Sequence, residues 1–150
     1  MKAVIQRVNH ASVQVEGKII SKIENGLLVL LGITQTDNLT DSKWLCNKII
    51  NLRVFNDEQG VMNKSLNDVQ GNVIIVSQFT LMAGTKKGHR PSYIKAANAE
   101  IAVPLYKQFI EEFEALSKKK VGTGKFGADM KIILENDGPV TIIIDTEMKQ

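Results

Sequence analysis

The sequence predicts an α+β fold, in which a β-barrel-like meander of mostly antiparallel strands packs against two helices. Short apolar or alternating runs follow one another through the first 33 residues and return near the C-terminus. Only two segments show helical periodicity, and strands and helices do not alternate as they do in parallel α/β proteins. A chain of 150 residues without a repeat or linker is expected to form one domain, 1–150.

Four β elements are predicted before residue 33. Glu16-Gly17-Lys18 and Asn25-Gly26 are the turn signals between them. The last of the four is continuously apolar, which is typical of a central strand covered on both faces. The predicted strands are residues 3–8, 11–15, 19–23 and 27–32.

Two helices are predicted from apolar residues at helical spacing. The first covers residues 41–52, with Thr40 as its N-cap. The second begins after Asn98, a good N-cap, and extends to about residue 117. Pro104 lies beyond the first turn of this helix, so it is expected to kink the helix or to move its start later.

Between and after the helices, three further strands are predicted. Residues 61–71 are polar and loop-like, with Leu66 as the expected anchor, and a buried strand follows at 73–76. The last two strands, 130–135 and 140–145, flank Gly138-Pro139. Proline lacks an N–H, so this dipeptide is expected to form a hairpin turn. A cis bond, which is cheap only before proline, would point two neighbouring carbonyl oxygens the same way.

Composition narrows the class of protein. The longest apolar stretch, residues 26–33, is too short to span a bilayer, and the first residues show no signal-peptide pattern. The single cysteine, Cys46, excludes an internal disulfide and suits a reducing compartment, where it is expected to be a small buried filler. A cytoplasmic protein without membrane contact is therefore expected.

The net charge of +3 permits a nucleic-acid partner without requiring one. Such lysine clusters are commonly solvated surface, and few aromatic residues are interleaved with them. Any RNA contact should therefore be mainly to phosphate. One cluster comprises Lys86, Lys87, His89, Arg90 and Lys95, and the other comprises Lys118, Lys119, Lys120 and Lys125.

Candidate chemistry lies where the strand at 73–76 ends. Ser77 and Thr80 offer hydroxyls and Gln78 an amide, while N–H groups freed at a strand end, near Phe79, could form an oxyanion hole. The alternative is that these are ordinary strand residues with satisfied hydroxyls. No metal or cofactor is expected, because neither histidine has a cysteine or carboxylate at ligand spacing and no phosphate-binding loop occurs.

Two motifs, at residues 76–81 and 136–141, are specific when they occur together at this separation in a short chain. With four further stretches they make the chain resemble the D-aminoacyl-tRNA deacylase family from end to end. Tyr93 and Pro104 are minor departures. The six stretches are Ile5-Gln6-Arg7-Val8 with Ala11-Ser12-Val13, Gly26-Leu27-Leu28-Val29-Leu30-Leu31-Gly32, Val76-Ser77-Gln78-Phe79-Thr80-Leu81, Gly88-His89-Arg90-Pro91-Ser92, Gly124-Lys125-Phe126-Gly127-Ala128-Asp129-Met130 and Asn136-Asp137-Gly138-Pro139-Val140-Thr141.

The resemblance implies a homodimer with two active sites at the subunit interface. Gly138-Pro139 of one subunit would reach into the partner's pocket, whose wall is residues 77–80. Phe126 and Met130 would lie nearby, and Arg7 would help to hold the turn. Lys86, Lys87 and Arg90 are the expected tRNA contacts, and no DNA partner is expected.

The implied reaction is hydrolysis of the ester between a D-amino acid and the terminal adenosine of tRNA. Thr80 is expected to line the site rather than to act as a nucleophile, because no base is paired with it. The Gly-cisPro turn would exclude L side chains by steric clash, and glycine, including glycine mischarged on tRNA-Ala, would escape this filter. The alternatives are a non-catalytic tRNA-binding barrel and a small-ester hydrolase with Thr80 or Ser77 as its nucleophile.

Overall fold

The structure is a computed structural model that describes residues 1–148. It confirms the α+β class, with a barrel-like mixed sheet and two helices. Two short 3₁₀ turns, Phe79–Met82 and Thr146–Met148, complete the described elements. The strands are β1 (Lys2–Val15), β2 (Lys18–Ile23), β3 (Gly26–Gly32), β4 (Phe55–Asn56), β5 (Met62–Lys64), β6 (Asn72–Ser77), β7 (Gly122–Thr123) and β8 (Lys131–Asp145), and the helices are α1 (Leu39–Ile50) and α2 (Ala99–Ser117).

Strand β1 organises the sheet. Antiparallel β8 pairs with one edge of β1 along nearly its whole length, while β3 and β2 pair with the first and second halves of its other edge. Beyond β3 the sheet continues with β6 and β7, both parallel to their neighbours. The Ser21 hydroxyl donates to the Thr123 carbonyl (2.6 Å) and accepts from its N–H (3.0 Å). This link joins β7 to β2, so the sheet curls into a nearly closed barrel.

The prediction of two separate strands before residue 16 was wrong, because residues 2–15 form the single strand β1. The register against β8 shifts between Gln6 and Val8 and again between Val8 and His10. These irregularities put Arg7 and Val8 both in buried positions and leave Asn9 and His10 exposed. A bulge of this kind breaks the alternation of side chains without ending the strand, and the broken alternation resembled a strand end.

The predicted hairpin turn at Gly138-Pro139 was also wrong. Both flanks belong to β8, and both pair with β1. Thr141 pairs with Gln6 and Asn136 with Val8, so residues 137–140 project from the strand as an excursion. The Gly138-Pro139 bond is cis, as predicted. Hydrophobic pattern identified the two flanks correctly but could not show that they share β1 as a partner.

Each helix begins after an asparagine. The cap of α1 is Asn38 and not the predicted Thr40, and a capping box with Asp41 fixes its start. Asn98 caps α2 as predicted, and its side chain accepts from the Ile101 N–H. Helix α2 runs from Ala99 through Pro104, so the proline does not move the start later. The helix therefore lacks one internal hydrogen bond at Pro104.

The core has two parts. A small cluster fills the barrel and includes Val13, Leu28 and Ile74. A larger one lies between the sheet and the helices and includes the fully buried rings of Phe109 and Phe113. Strand β3 contributes to both clusters, which confirms that it is covered on both faces. Leu66 and Cys46 are buried as expected.

Burial raises the pKa of the Cys46 thiol well above its usual range, and the thiol donates a hydrogen bond to the Phe109 carbonyl (3.4 Å). A thiol that stays protonated and out of reach of water is a poor nucleophile. No helix within residues 1–148 is both long and apolar enough to cross a membrane.

Candidate active site

A pocket opens where β6 ends. Ser77, Gln78 and Phe79 form one wall, and a loop from Phe126 to Met130 forms the opposite wall. Leu31 and Ile33 of the neighbouring chain segment, with Ala97 and Ala102 near the start of α2, make up the rest of its apolar lining. Five of the residues predicted to form the site therefore lie together in one cavity.

The wall at Ser77–Met82 is fixed by main-chain hydrogen bonds and by close packing. The Gln78 N–H donates to the Leu31 carbonyl (2.7 Å), which carries the pairing of β6 with β3 one residue past the strand. Gly32 allows the following 3₁₀ turn to pack closely, since a Cβ there would lie 3.1 Å from the Gln78 oxygen and 2.9 Å from Met82 Cε. Among the described residues, the N–H groups of Phe79 and Thr80 have no hydrogen-bond acceptor.

Thr80 contacts the pocket through Gln78. The Gln78 side-chain amide donates to the Thr80 hydroxyl, and Thr80 itself is not among the lining residues. Neither His10 nor His89 lines the cavity. Thr80 therefore has no histidine base in this pocket, and the expectation that it lines the site rather than acting as a nucleophile stays a prediction.

The opposite wall depends on Tyr106 of α2, whose role could not be predicted from its place in the sequence. Its hydroxyl donates to the Ile75 carbonyl (2.7 Å), and its ring centroid lies 6.0 Å from that of Phe126. Burial raises the pKa of Tyr106 to about 12, and a hydrogen bond from the Gly124 main chain offsets part of the rise. Tyr106 thus ties helix, sheet and pocket loop together.

Arg7, Gly138 and Pro139 do not line this pocket. Gly138 and Pro139 are exposed on the excursion of β8, whereas Arg7 is buried at its base. Arg7 Nε donates to the Asp137 carbonyl (3.2 Å) and lies 3.1 Å from the Asp137 carboxylate. Arg7 Nη1 donates to the Val54 carbonyl (2.7 Å). Within a single chain, the excursion and the pocket are therefore separate features.

Asn136 is a second anchor of the excursion, a role that its place in the 136–141 motif did not predict. Its side-chain oxygen accepts from the Val140 N–H (3.2 Å), and its amide donates to Gln6 Oε1 (2.7 Å) and Thr141 Oγ1 (3.1 Å). These bonds join the two ends of the excursion to each other and to β1. The signal in the sequence was an amide residue beside a turn, which commonly bonds its own backbone.

The basic loop, residues 84–92, follows the Phe79 wall closely in the sequence. Gly84 and Ser92 exchange two main-chain hydrogen bonds (2.8 and 2.9 Å), which close residues 84–92 into a loop. Lys86, Lys87 and Arg90 are exposed on it. Their predicted contact with tRNA stays a prediction.

The acidic and histidine residues of the described part of the chain do not cluster as metal ligands would. Within residues 1–148, no group of three His, Cys, Asp or Glu side chains lies close enough to hold a metal ion. The sequence spacing did not reveal one pair, in which His10 Nε2 lies 3.2 Å from the Glu135 carboxylate across β1 and β8. A single exposed pair of this kind is a cross-strand contact.

Comparison with known proteins assigns the chain to a family. The model of the family described as D-Tyr-tRNA(Tyr) deacylase matches residues 4–145, which is nearly the whole chain. The chain belongs to the D-Tyr-tRNA(Tyr) deacylase family. Proteins named D-aminoacyl-tRNA deacylase from Christiangramia forsetii and from Bacteroides fragilis are 61% and 57% identical to it, and both alignments cover 100% of each chain.

Solved structures share the family's fold. One described as "c-Myc DNA Unwinding Element Binding Protein" has a TM-score of 0.91 and 43% identity, and the alignment covers 97% of this chain and 98% of that one. Another, described as a probable eukaryotic D-amino acid tRNA deacylase, has a TM-score of 0.82 at 15% identity, covers 95% and 97% of the two chains, and supports the fold alone. The expectation that residues 1–150 form a single domain stays a prediction.

Proposed function

We propose that this chain hydrolyses the ester of D-aminoacyl-tRNA and releases the free D-amino acid and tRNA. The observation that carries this proposal is the pocket at the end of β6, because residues 77–79, Phe126 and Met130 meet there in a member of the deacylase family. An alternative binding barrel would not need a cavity at a strand end with main-chain donors beside it.

The chemistry proposed for this pocket is attack by water. The ester of an aminoacyl-tRNA is already activated, so a positioned water and a donor for the developing oxyanion suffice. The N–H groups of Phe79 and Thr80 are the proposed donors. Water adds to the ester carbonyl, the bond to the ribose oxygen breaks, and that oxygen takes up a proton. Gln78 is proposed to orient the ribose or the carbonyl.

Chiral selection is assigned to the excursion that carries Gly138 and Pro139. We place it in the pocket of a second subunit, where it would obstruct an L side chain and leave a D side chain free to point outward. Two features support this placement. The excursion is exposed and firmly anchored through Arg7 and Asn136, and β8 leaves Ile133 and Ile143 50% and 66% exposed, as expected for a surface covered in a homodimer.

The same steric filter predicts activity towards glycine. Glycine has no side chain to be obstructed, so glycyl-tRNA, for example glycine mischarged on tRNA-Ala, is proposed as a second substrate. Lys86, Lys87 and Arg90 are proposed to contact tRNA phosphates. No DNA partner is proposed, and the location proposed for the protein is the cytoplasm.

The first prediction is chiral discrimination by the purified protein. D-tyrosyl-tRNA and L-tyrosyl-tRNA are incubated with it, and the remaining ester is counted over time. We expect the D ester to be lost at least about 100-fold faster, since a clash of the L side chain with the excursion costs several kcal/mol. The control is a reaction without protein, which measures spontaneous hydrolysis.

The other outcomes are distinct. Equal loss of both esters would leave a deacylase but contradict the steric filter. Binding of tRNA without loss of either ester would favour the non-catalytic barrel. Hydrolysis of D-tyrosine ethyl ester at a comparable rate, together with complete loss of activity in Thr80→Val, would favour the small-ester hydrolase.

A further inference from the structure

Phe79 and Tyr93 form an exposed aromatic pair at the edge of the pocket. Their ring centroids are 5.1 Å apart, at an interplanar angle of 72°. Phe79 is 55% exposed and lines the pocket, and Tyr93 is 41% exposed. The next residue, Ile94, is 83% exposed. Exposed apolar surface therefore continues from Phe79 at the pocket edge to Tyr93 and Ile94.

Main-chain hydrogen bonds on both sides fix the backbone at Tyr93. On the N-terminal side, Ser92 exchanges two main-chain hydrogen bonds with Gly84. On the C-terminal side, the Ala96 N–H donates to the Tyr93 carbonyl (3.0 Å) and the Ala97 N–H to the Ile33 carbonyl (2.9 Å). A surface whose frame is already fixed loses little conformational entropy when it binds a ligand.

The chain around the aromatic pair is cationic and lacks compensating acid. Residues 69–99 contain no Asp or Glu. Among the described residues, none of the side chains of Lys86, Lys87, Arg90 and Lys95 forms a salt bridge or hydrogen bond. In contrast, Lys2, Lys64, Lys120 and Lys131 each pair with a carboxylate. The loop therefore presents free positive charge beside an exposed ring.

We propose that Tyr93, together with the basic loop (residues 84–92) and Lys95, binds the single-stranded 3′ end of the RNA substrate. A base preceding the terminal adenosine stacks on Tyr93, and the lysines and Arg90 contact its phosphates. This inference rests on the proposed function, which places the terminal adenosine in the pocket beside Phe79. Exposed aromatic rings flanked by cations are how proteins bind unpaired nucleotides without a strong preference for base.

A second copy of the chain is the competing occupant of this surface. A two-fold contact through Tyr93 would set Lys86, Lys87 and Arg90 of one copy against the same cations of the other, and like charges repel. RNA brings the phosphates that the loop lacks. Charge therefore favours RNA.

The test compares two esters that differ only in the nucleotides before the adenosine. One is D-tyrosyl-adenosine, and the other carries the same ester on the trinucleotide C-C-A. In Tyr93→Ala we expect the KM for the trinucleotide to rise about ten-fold, the loss typical of one stacked base, with kcat within two-fold. The KM for D-tyrosyl-adenosine should not change. Tyr93→Phe keeps the ring and should behave like the wild type, as should Leu39→Ala, an exposed apolar residue of α1.

A binding measurement separates this inference from the proposed reaction. Fluorescence anisotropy with an uncharged, labelled RNA hairpin ending in C-C-A needs no hydrolysis, and Tyr93→Ala should weaken binding about ten-fold. The double variant Lys86→Ala/Lys87→Ala should lower the salt slope by about 1 to 1.5, whereas Lys43→Ala/Lys107→Ala on the two helices should not. If the wild type binds but hydrolyses nothing, the surface stands and the reaction fails.

Two results would overturn the inference. One is an equal effect of Tyr93→Ala on both esters, which would make the pair a packing feature of the pocket. The other is a shift in the elution volume of Tyr93→Ala relative to the wild type in size-exclusion chromatography, which would make the surface a contact between copies of the chain.

Discussion

Arg7 is a charged residue in a buried position, and its contacts explain why it is there. It is only 7% exposed, and such burial is rare unless the guanidinium is paired and hydrogen-bonded. Val54, Asn56 and Asp137 supply its acceptors. One side chain of β1 therefore fixes both the segment before β4 and the excursion of β8.

Replacing Arg7 by lysine should separate charge from shape. Lysine keeps the charge but lacks the fork that spans Val54 and Asp137, so the excursion should lose its anchor. We expect kcat/KM for D-tyrosyl-tRNA to fall at least about 10-fold, a reduced preference for D over L, and a loss of about 2 kcal/mol in unfolding free energy. The measurements are kinetics with both esters and urea unfolding.

Arg53→Lys is the matched control for this prediction, because Arg53 is an exposed arginine whose Nε donates to the Asn63 carbonyl (2.9 Å). It should leave both measurements near wild-type values. An Arg7→Lys enzyme with unchanged chiral preference would show that Arg7 does not position the excursion for selection.

At the scale of elements, local pattern identified segments and missed partnerships. The apolar run of β3 and the Asn98 cap of α2 are local signals, and both were predicted correctly. The hairpin at Gly138-Pro139 was wrong because the choice between pairing with each other and pairing with β1 depends on residues more than 100 positions away. The Thr40 cap was wrong because Asn38 and Thr40 carry similar signals, and only the capping box with Asp41 decides between them.

Pro104 offers a test of stability within an element. It is an exposed residue six positions into α2, where its missing N–H leaves the Glu100 carbonyl without its helical partner. Pro104→Ala restores that bond, and an alanine in a helix interior is favoured over a proline by about 3 kcal/mol. The alanine chain gains conformational entropy when it unfolds, which offsets about 1 kcal/mol. The free energy of unfolding should therefore rise by about 2 kcal/mol. We expect the Tm to rise by about 5 °C in a calorimetric scan. Pro91→Ala, in a loop, should not raise it, and an unchanged Tm in Pro104→Ala would mean that the surrounding structure already satisfies Glu100.

At the scale of the whole molecule, the candidate pocket was only partly predictable. Ser77, Gln78 and Thr80 could be recognised as polar residues at a strand end. Phe126 and Met130 were predicted as site residues from the family resemblance alone. Tyr93 and Tyr106 were missed because their importance depends on which rings they meet in three dimensions. Aromatic residues distant in sequence give no periodic signal, so only the folded chain could reveal these contacts.

Tyr106 also predicts how stability depends on pH. Its pKa rises from the ordinary 10.0 to about 12 in the folded state. The neutral hydroxyl is therefore favoured by folding, and this contribution is complete below pH 10 and is lost as pH rises through about 12. Urea unfolding at pH 8 to 11.5 should show a decline that is smaller in Tyr106→Phe by up to about 2 kcal/mol.

The phenylalanine variant should also be about 1 kcal/mol less stable at pH 8, because the bond to the Ile75 carbonyl is gone. Identical slopes for the two proteins above pH 10 would show that Tyr106 ionises as freely in the folded state as in the unfolded chain.

The excursion of β8 has a consequence for aggregation. Among the described residues, β8 pairs only with β1, so a strand of 15 residues has one edge whose N–H and C=O groups could recruit a foreign strand. Pro139 has no N–H to offer, and residues 137–140 leave the line of the strand. The free edge is thereby divided into two short lengths, each with a charged residue, Lys131 or Asp145, at its outer end. We therefore expect the excursion that is proposed to select substrates also to limit strand addition at this edge of the folded protein.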